Sequence, residues 1–269
     1  MVRAIHALPL ILLLGPGPVQ AVQLLAGDWV VADPDANAIY RVDPDSGGAI
    51  VISQDGLFRQ PTGVAIDAAR RVLVADPEAN AIFRVDAATG AQSVVSSGGQ
   101  FRWPTGVAVD ALGDLLVADP DADAVFRVDP STGQQTPDTA AADTGVLYGA
   151  GLTVEGSGDY VLVDPDSASL RRWDPDAETG APVSAGRLLR WPSDATVDDL
   201  GDLLVADPDA NAFRRVDPGS GAQTQEGPAD VFLYPTGIAF VPEPSGWASL
   251  LSGAAALVAL ARRRRPGRT

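Results

Sequence analysis

An Asp-Pro pair recurs along the chain at Asp33, Asp76, Asp119, Asp164 and Asp207, with intervals of 43, 43, 45 and 43 residues. Two other residues keep the same step: an Arg at 41, 84, 127, 172 and 215, and an Asp at 43, 86, 129, 174 and 217. A period held over five copies means that one supersecondary unit is repeated and that each copy buries its apolar face against its neighbours. The one two-residue insertion falls between Gly133 and Tyr148.

The clearest copy shows what the unit is. Residues 106–110, 114–119 and 125–129 read as three short strands, separated by turn residues at 111–113, 120–123 and 130–133. A weaker fourth strand follows each Gly-rich turn, as at 49–52 and 93–96. The second strand is apolar on both alternating faces and needs cover on both sides. No stretch between 22 and 241 keeps a helical period. Four antiparallel strands in about 43 residues, stacked face to face, make a β-propeller blade.

Counting fixes the ring. First strands follow Pro61, Pro104, Gly149, Pro192 and Pro235, and sets of second to fourth strands begin near Asp28, Arg71, Asp114, Asp159 and Asp202. The leading set lacks a first strand and the trailing first strand, 237–240, lacks a set. The expected fold is therefore all-β: a propeller of five four-stranded blades over 22–241, closed by its C-terminal strand.

Charge and composition narrow the chemistry. The 269 residues carry 19 basic side chains, all Arg, and 35 acidic ones, for a net charge of −16. Within 22–241 there are 13 Arg against 34 Asp and Glu, a net of −21. Such a surface repels a phosphate backbone, which excludes a nucleic-acid partner. His6 is the one His, Met1 the one Met, and Cys is absent. Residues 22–241 thus offer no imidazole, thiol or amine side chain, which removes most nucleophiles and general bases.

The two ends read as addresses. Residues 1–21 hold Arg3, an apolar run at 8–14 and a Gly-Pro exit at 15–18, the order of a secretory signal peptide cut after Ala21. At the other end Pro242, Glu243 and Pro244 precede an apolar segment, 247–261, and the cluster Arg262, Arg263, Arg264 and Arg265. Positive charge stays in the cytoplasm, so this segment reads as a short membrane span with the preceding domain outside. Without Cys, an exported domain has no disulfide and must stand on its own core.

Two resemblances follow from these residues. The tail, 242–269, resembles the PEP-CTERM sorting signal of Gram-negative bacteria; this implies an exosortase as partner during export, processing near Pro242-Glu243-Pro244, and delivery to the cell surface or exopolysaccharide matrix. The repeats resemble the NHL family through Pro104-Thr105-Gly106-Val107-Ala108-Val109-Asp110, Val117-Ala118-Asp119, the turn residues Asn37, Asn80 and Asn211, and the Arg on the third strand. NHL rings usually have six blades, whereas the count here gives five. Trp173-Asp174 occurs once and is no WD40 signature.

Four sets of residues are candidates for function. Asp33, Asp35 and Asn37, with Asp119, Asp121 and Asp123 and with Asp207, Asp209 and Asn211, match the opening of a Ca²⁺ loop but lack its sixth-position Gly and twelfth-position Glu. Tight turns demand the same residue types. The repeated Arg reads as a blade-to-blade or blade-to-turn ion pair. The acids Asp67, Asp110, Glu155 and Asp198 end first strands and could surround the channel as in carboxylate- and metal-dependent lactonases. No asymmetric set accompanies them, and streptogramin-lyase-like propellers depend on a His that residues 22–241 lack. Finally, Gln60, Trp103, Tyr148, Trp191 and Tyr234 precede the first strands and should ring one mouth, with Arg59, Arg102 and Arg190 before three of them. Aromatic faces beside hydrogen-bond donors suit sugar rings; inter-blade packing is the competing role. The resulting expectation is an exported binding or scaffold propeller, exopolysaccharide-associated, with no cofactor. A Ca²⁺-dependent adhesion module for a surface protein stands second and a channel hydrolase or lactonase third.

Overall fold

The computed structural model of the chain describes residues 21–140, 151–226, 232 and 234–243. Five four-stranded antiparallel sheets account for them. Blade one contains β1 (Trp29–Asp33), β2 (Ala38–Val42) and β3 (Ala49–Gln54). Blade two is β4 (Gly63–Ile66), β5 (Val72–Asp76), β6 (Ala81–Val85) and β7 (Gln92–Ser97), and blade three is β8 (Gly106–Val109), β9 (Leu115–Asp119), β10 (Ala124–Val128) and β11 (Gln135–Ala140). Blade four is β12 (Gly151–Val154), β13 (Tyr160–Asp164), β14 (Ser169–Asp174) and β15 (Thr179–Ala185). Blade five is β16 (Asp194–Val197), β17 (Leu203–Asp207), β18 (Ala212–Val216) and β19 (Gln223–Glu226), and β20 (Gly237–Phe240) completes blade one.

The expected closure is the one observed. β20 pairs with β1 in antiparallel register, from Trp29 opposite Phe240 to Ala32 opposite Gly237. The pairing runs one step further through Gly27 N–H to Val241 O and Val241 N–H to Asp28 O, both 2.9 Å. First strands β4, β8, β12, β16 and β20 neighbour one another in a closed cycle about the axis. Second strands such as β5, β9 and β17 are buried along their whole length because they are covered on both faces. The core divides into five apolar clusters, each shared between two adjacent blades, so blade stacking is what buries the hydrophobic surface. On the outer edge, Gln92 reaches back to Ser53 Oγ of the preceding blade at 2.9 Å, and Gln135 and Gln223 repeat the latch with Ser96 and Ser184.

Strand direction separates two faces. Each first strand begins at one mouth of the ring, where the turns at 34–37, 77–80, 120–123, 165–168 and 208–211 also lie. It ends at the opposite face. The chain enters the ring at Trp29 and leaves it at Phe240, two residues paired with each other, both on that opposite face.

Candidate functional site

The mouth is organised by the repeated Asp. Asp119 is fully buried at the end of β9, and its carboxylate accepts the backbone N–H of Arg102 at 2.7 Å, Trp103 at 2.9 Å and Ala122 at 3.1 Å. Asp207 likewise holds Arg190 N–H at 2.8 Å and Trp191 N–H at 2.9 Å, and Asp76 holds Arg59 at 2.7 Å and Gln60 at 3.0 Å. Asp33 takes Ala36 N–H at 3.1 Å and Tyr234 N–H at 3.3 Å. A charged acceptor with several amide donors is strong and directional, so the backbones of Gln60, Trp103, Trp191 and Tyr234 are fixed from inside the ring.

Two of the rim side chains are open to solvent. Trp103 is 37% and Trp191 40% exposed, so part of each ring is open to solvent; a packing role is filled more completely elsewhere. That role belongs to the residue two positions earlier: Phe58, Phe101, Leu189 and Phe232 are buried, with Phe58 edge-on to Phe83 and Phe101 edge-on to Phe126. Arg59, Arg102 and Arg190 are exposed beside the rim residues. Among the described residues no carboxylate lies within ion-pair distance of these three. At least one exposed acid per blade stands on the adjoining turns, at Asp35, Glu78, Asp121 with Asp123, Asp166 and Asp209. Tyr234, half-buried, points its hydroxyl at Asp209 at 3.5 Å, and burial together with the charge of Asp209 raises its phenol pKa. Trp103 and Trp191 therefore each follow an exposed Arg donor on a mouth that also carries exposed carboxylates, the combination that sugar hydroxyls require. Tyr148 lies outside the described residues, as do Pro244 and Arg262 to Arg265.

Turn chemistry accounts for the motif read as a partial Ca²⁺ loop. Asn37, Asp123 and Asn211 close their turns in the left-handed region, at φ 49°, 56° and 44°, which Asn and Asp tolerate better than most residues. The leading acids Asp33, Asp119 and Asp207 are buried and turned to amide donors, and Asp35, Asp121 and Asp209 point to solvent. Among the described residues no three acidic or His side chains converge as a metal site.

The opposite face holds the strand-end acids. Asp110 pairs with Arg127, Glu155 with Arg172 and Asp198 with Arg215, while Asp67 pairs with Arg71 at 2.7 Å. Arg41 meets Asp28 at 2.5 Å. Apart from Asp67–Arg71, which closes a single turn, these pairs join a third-strand Arg to an acid of the same blade. The blade-to-blade alternative appears once, as Arg84 donating to Pro130 O of blade three at 3.1 Å, with a carbonyl in place of a carboxylate. A cleft of about 350 Å³ opens here beside Glu155, Asp159, Arg172 and Gly201, with Glu155 and Arg172 paired to each other. Beyond β20, Pro242 and Glu243 are exposed. No helix among the described residues is long and apolar enough to cross a membrane; the segment 247–261 lies outside them.

Sequence reasoning found no residue that breaks the fivefold pattern, and the structure has one. Pro192-Ser193-Asp194 stands where three other blades have Pro-Thr-Gly, and Asp194 is 1% exposed at the axis. Aligning the five copies for differences, rather than likeness, would have exposed it.

No family model matches the chain, and no curated protein matches it in sequence. Solved structures do. One reported as a nidogen/laminin complex superposes with a TM-score of 0.60 at 14% identity, covering 80% of this chain and 98% of that one. A Bacteroides thetaiotaomicron protein of unknown function gives 0.60 at 16% identity, over 85% of this chain and 66% of that one. A streptogramin B lyase gives 0.51 at 14% identity, over 78% of this chain and 68% of that one. At such identities the likeness is one of fold, and together with the closed ring of blades it establishes the chain as a five-bladed β-propeller.

Proposed function

We propose that this chain is an exported surface or matrix propeller that binds polysaccharide at its aromatic mouth. The observation that carries the reading is the pair Trp103 and Trp191, exposed at equivalent positions two blades apart and each preceded by an exposed Arg. Their backbones are fixed by Asp119 and Asp207, so little ordering is left to be done on binding. Stacking surfaces on separate blades also let one polymer engage several weak subsites at once. In this reading 1–21 directs export and 242–269 is a sorting signal handled by an exosortase in a Gram-negative cell. Support for it comes from the order of the tail motifs in the sequence. The strand-end acids, each engaged by an Arg, favour binding over hydrolysis.

The test is a titration of the protein with exopolysaccharide from the producing strain, read by Trp fluorescence with and without Ca²⁺. A saturable change independent of Ca²⁺ and lost in Trp103→Ala/Trp191→Ala is expected. A folded protein that shows no change, or a double variant that binds as wild type, defeats the reading; binding that requires Ca²⁺ favours the adhesion module.

A further inference from the structure

Four blades open their first strands with Gly63, Gly106, Gly151 and Gly237, and the fifth opens with Asp194. Three of the glycines are demanded by close approach. A Cβ at Gly63 would lie 2.5 Å from Thr105 O and 2.8 Å from Gly106 Cα; at Gly237 it would run into Thr62 O, and at Gly151 into Asp194 Oδ1 itself. At this level the axis has room for one side chain, and Asp194 occupies it. Its Oδ2 accepts the N–H of Ile238 on β20 at 3.1 Å and of Val64 on β4 at 3.4 Å, and Oδ1 accepts Ala195 N–H at 2.9 Å. A first strand has no partner strand on its axial side, so amides there need another acceptor.

We infer that Asp194 is the bolt of the ring, joining β16 to β20 and β4 across the axis and keeping the closing strand seated. The rest of blade five grips the same strand. Ser193 donates its hydroxyl to Thr236 O at 2.6 Å, Phe240 N–H reaches Thr196 Oγ1 at 3.3 Å, and Glu243 N–H reaches Asp199 Oδ2 at 3.4 Å. From the other side Arg70 holds both ends of the chain, donating to Leu24 O at 2.8 Å and to Pro242 O at 3.2 Å. By comparison β4 and β8 are joined by one such side-chain bond, Thr62 Oγ1 to Thr105 O at 2.8 Å. The strand so gripped is the one that must pair with β1 and neighbour β4, which come from the opposite end of the chain, where loop closure is most costly.

The bolt has no countercharge. The first strands packed around it, β4, β8, β12 and β20, contain no titratable residue. On its own blade Asp207 follows Ala206, the register partner of Asp194, but turns its carboxylate to the Arg190 and Trp191 amides, and Asp198, past the far end of β16, is paired with Arg215. Burial therefore pushes the Asp194 carboxyl well above the ordinary carboxylate range. A raised acid favours its protonated form in the fold, so its contribution is full at low pH and declines as pH rises through the raised value.

Amide hydrogen exchange on the full chain tests this, comparing wild type with Asp194→Gly, which restores the repeat residue, and Asp194→Asn, which keeps an acceptor oxygen. In Asp194→Gly, Ile238 and Val64 amides should exchange at least about tenfold faster while β5 amides keep their rates. Wild-type protection at Ile238 in that variant overturns the inference. If Asp194→Gly does not fold, the pH profile decides. After correction for intrinsic rates, wild-type β20 should open more readily as pH rises, and Asp194→Asn should not. Identical profiles overturn the bolt.

Discussion

Replacing Asp119 by Ala separates the buried scaffold of the mouth from its exposed charge. The carboxylate is fully buried and serves three amide donors, at Arg102, Trp103 and Ala122. Bonds to a charged acceptor are worth about 1.5–3 kcal/mol, and water reaching the loop recovers part of that when the acceptor is removed. About 1 kcal/mol for each donor then gives a loss of about 3–4 kcal/mol, which for a domain of this size lowers Tm by about 10 °C. Asp121→Ala is the matched control. It deletes the same charge from the same turn, but its side chain is exposed, and the change should stay within about 0.5 kcal/mol. Urea unfolding of the two variants, followed by Trp fluorescence, measures both. Equal losses would refute the argument, since the buried amides would then be irrelevant and charge alone would matter. In Asp119→Ala the Trp103 emission should also shift before the global transition, because the loop that fixes the ring has lost its anchor.

Other positions give sharper single readings. Ala168 holds the left-handed turn position that Asn or Asp holds in the other blades, at φ 48°, so Ala168→Asn should stabilise by about 0.5–1 kcal/mol in thermal melts. Gly237→Ala should cost about 3 kcal/mol or more, because its methyl runs into Thr62 O, whereas Gly156→Ala meets nothing within 4 Å and should be neutral in the same assay. Asp43 and Asp129 cap their turns and titrate below the ordinary value of 3.8; each adds stability above that value which is lost as pH falls through the lowered one. Carboxyl NMR titrations should place both midpoints below 3.8, and midpoints at or above it would remove the turn bonds from the account.

The fold was legible because its signals are periodic. Asp33, Asp76, Asp119, Asp164 and Asp207 mark the end of each second strand, and counting orphan strands was enough to pair 237–240 with blade one. The identity of ion-pair partners was less legible. Arg127 lies within reach of Asp110, Asp114 and Asp138, and spacing alone does not rank three acids around one guanidinium. The rim could be located but not judged exposed, since that depended on Phe58, Phe101 and Phe232 taking the buried place two residues earlier. Asp194 escaped for the opposite reason. A repeat template averages away the one copy that differs, and burial at the axis becomes visible only when five first strands are brought together.

Because both ends of the chain leave the ring on one side, the molecule has a back and a front. In the reading proposed above, a holder on the tail would lie on the back, and the Trp103–Trp191 rim would be carried on the face away from it, like a dish on a stalk.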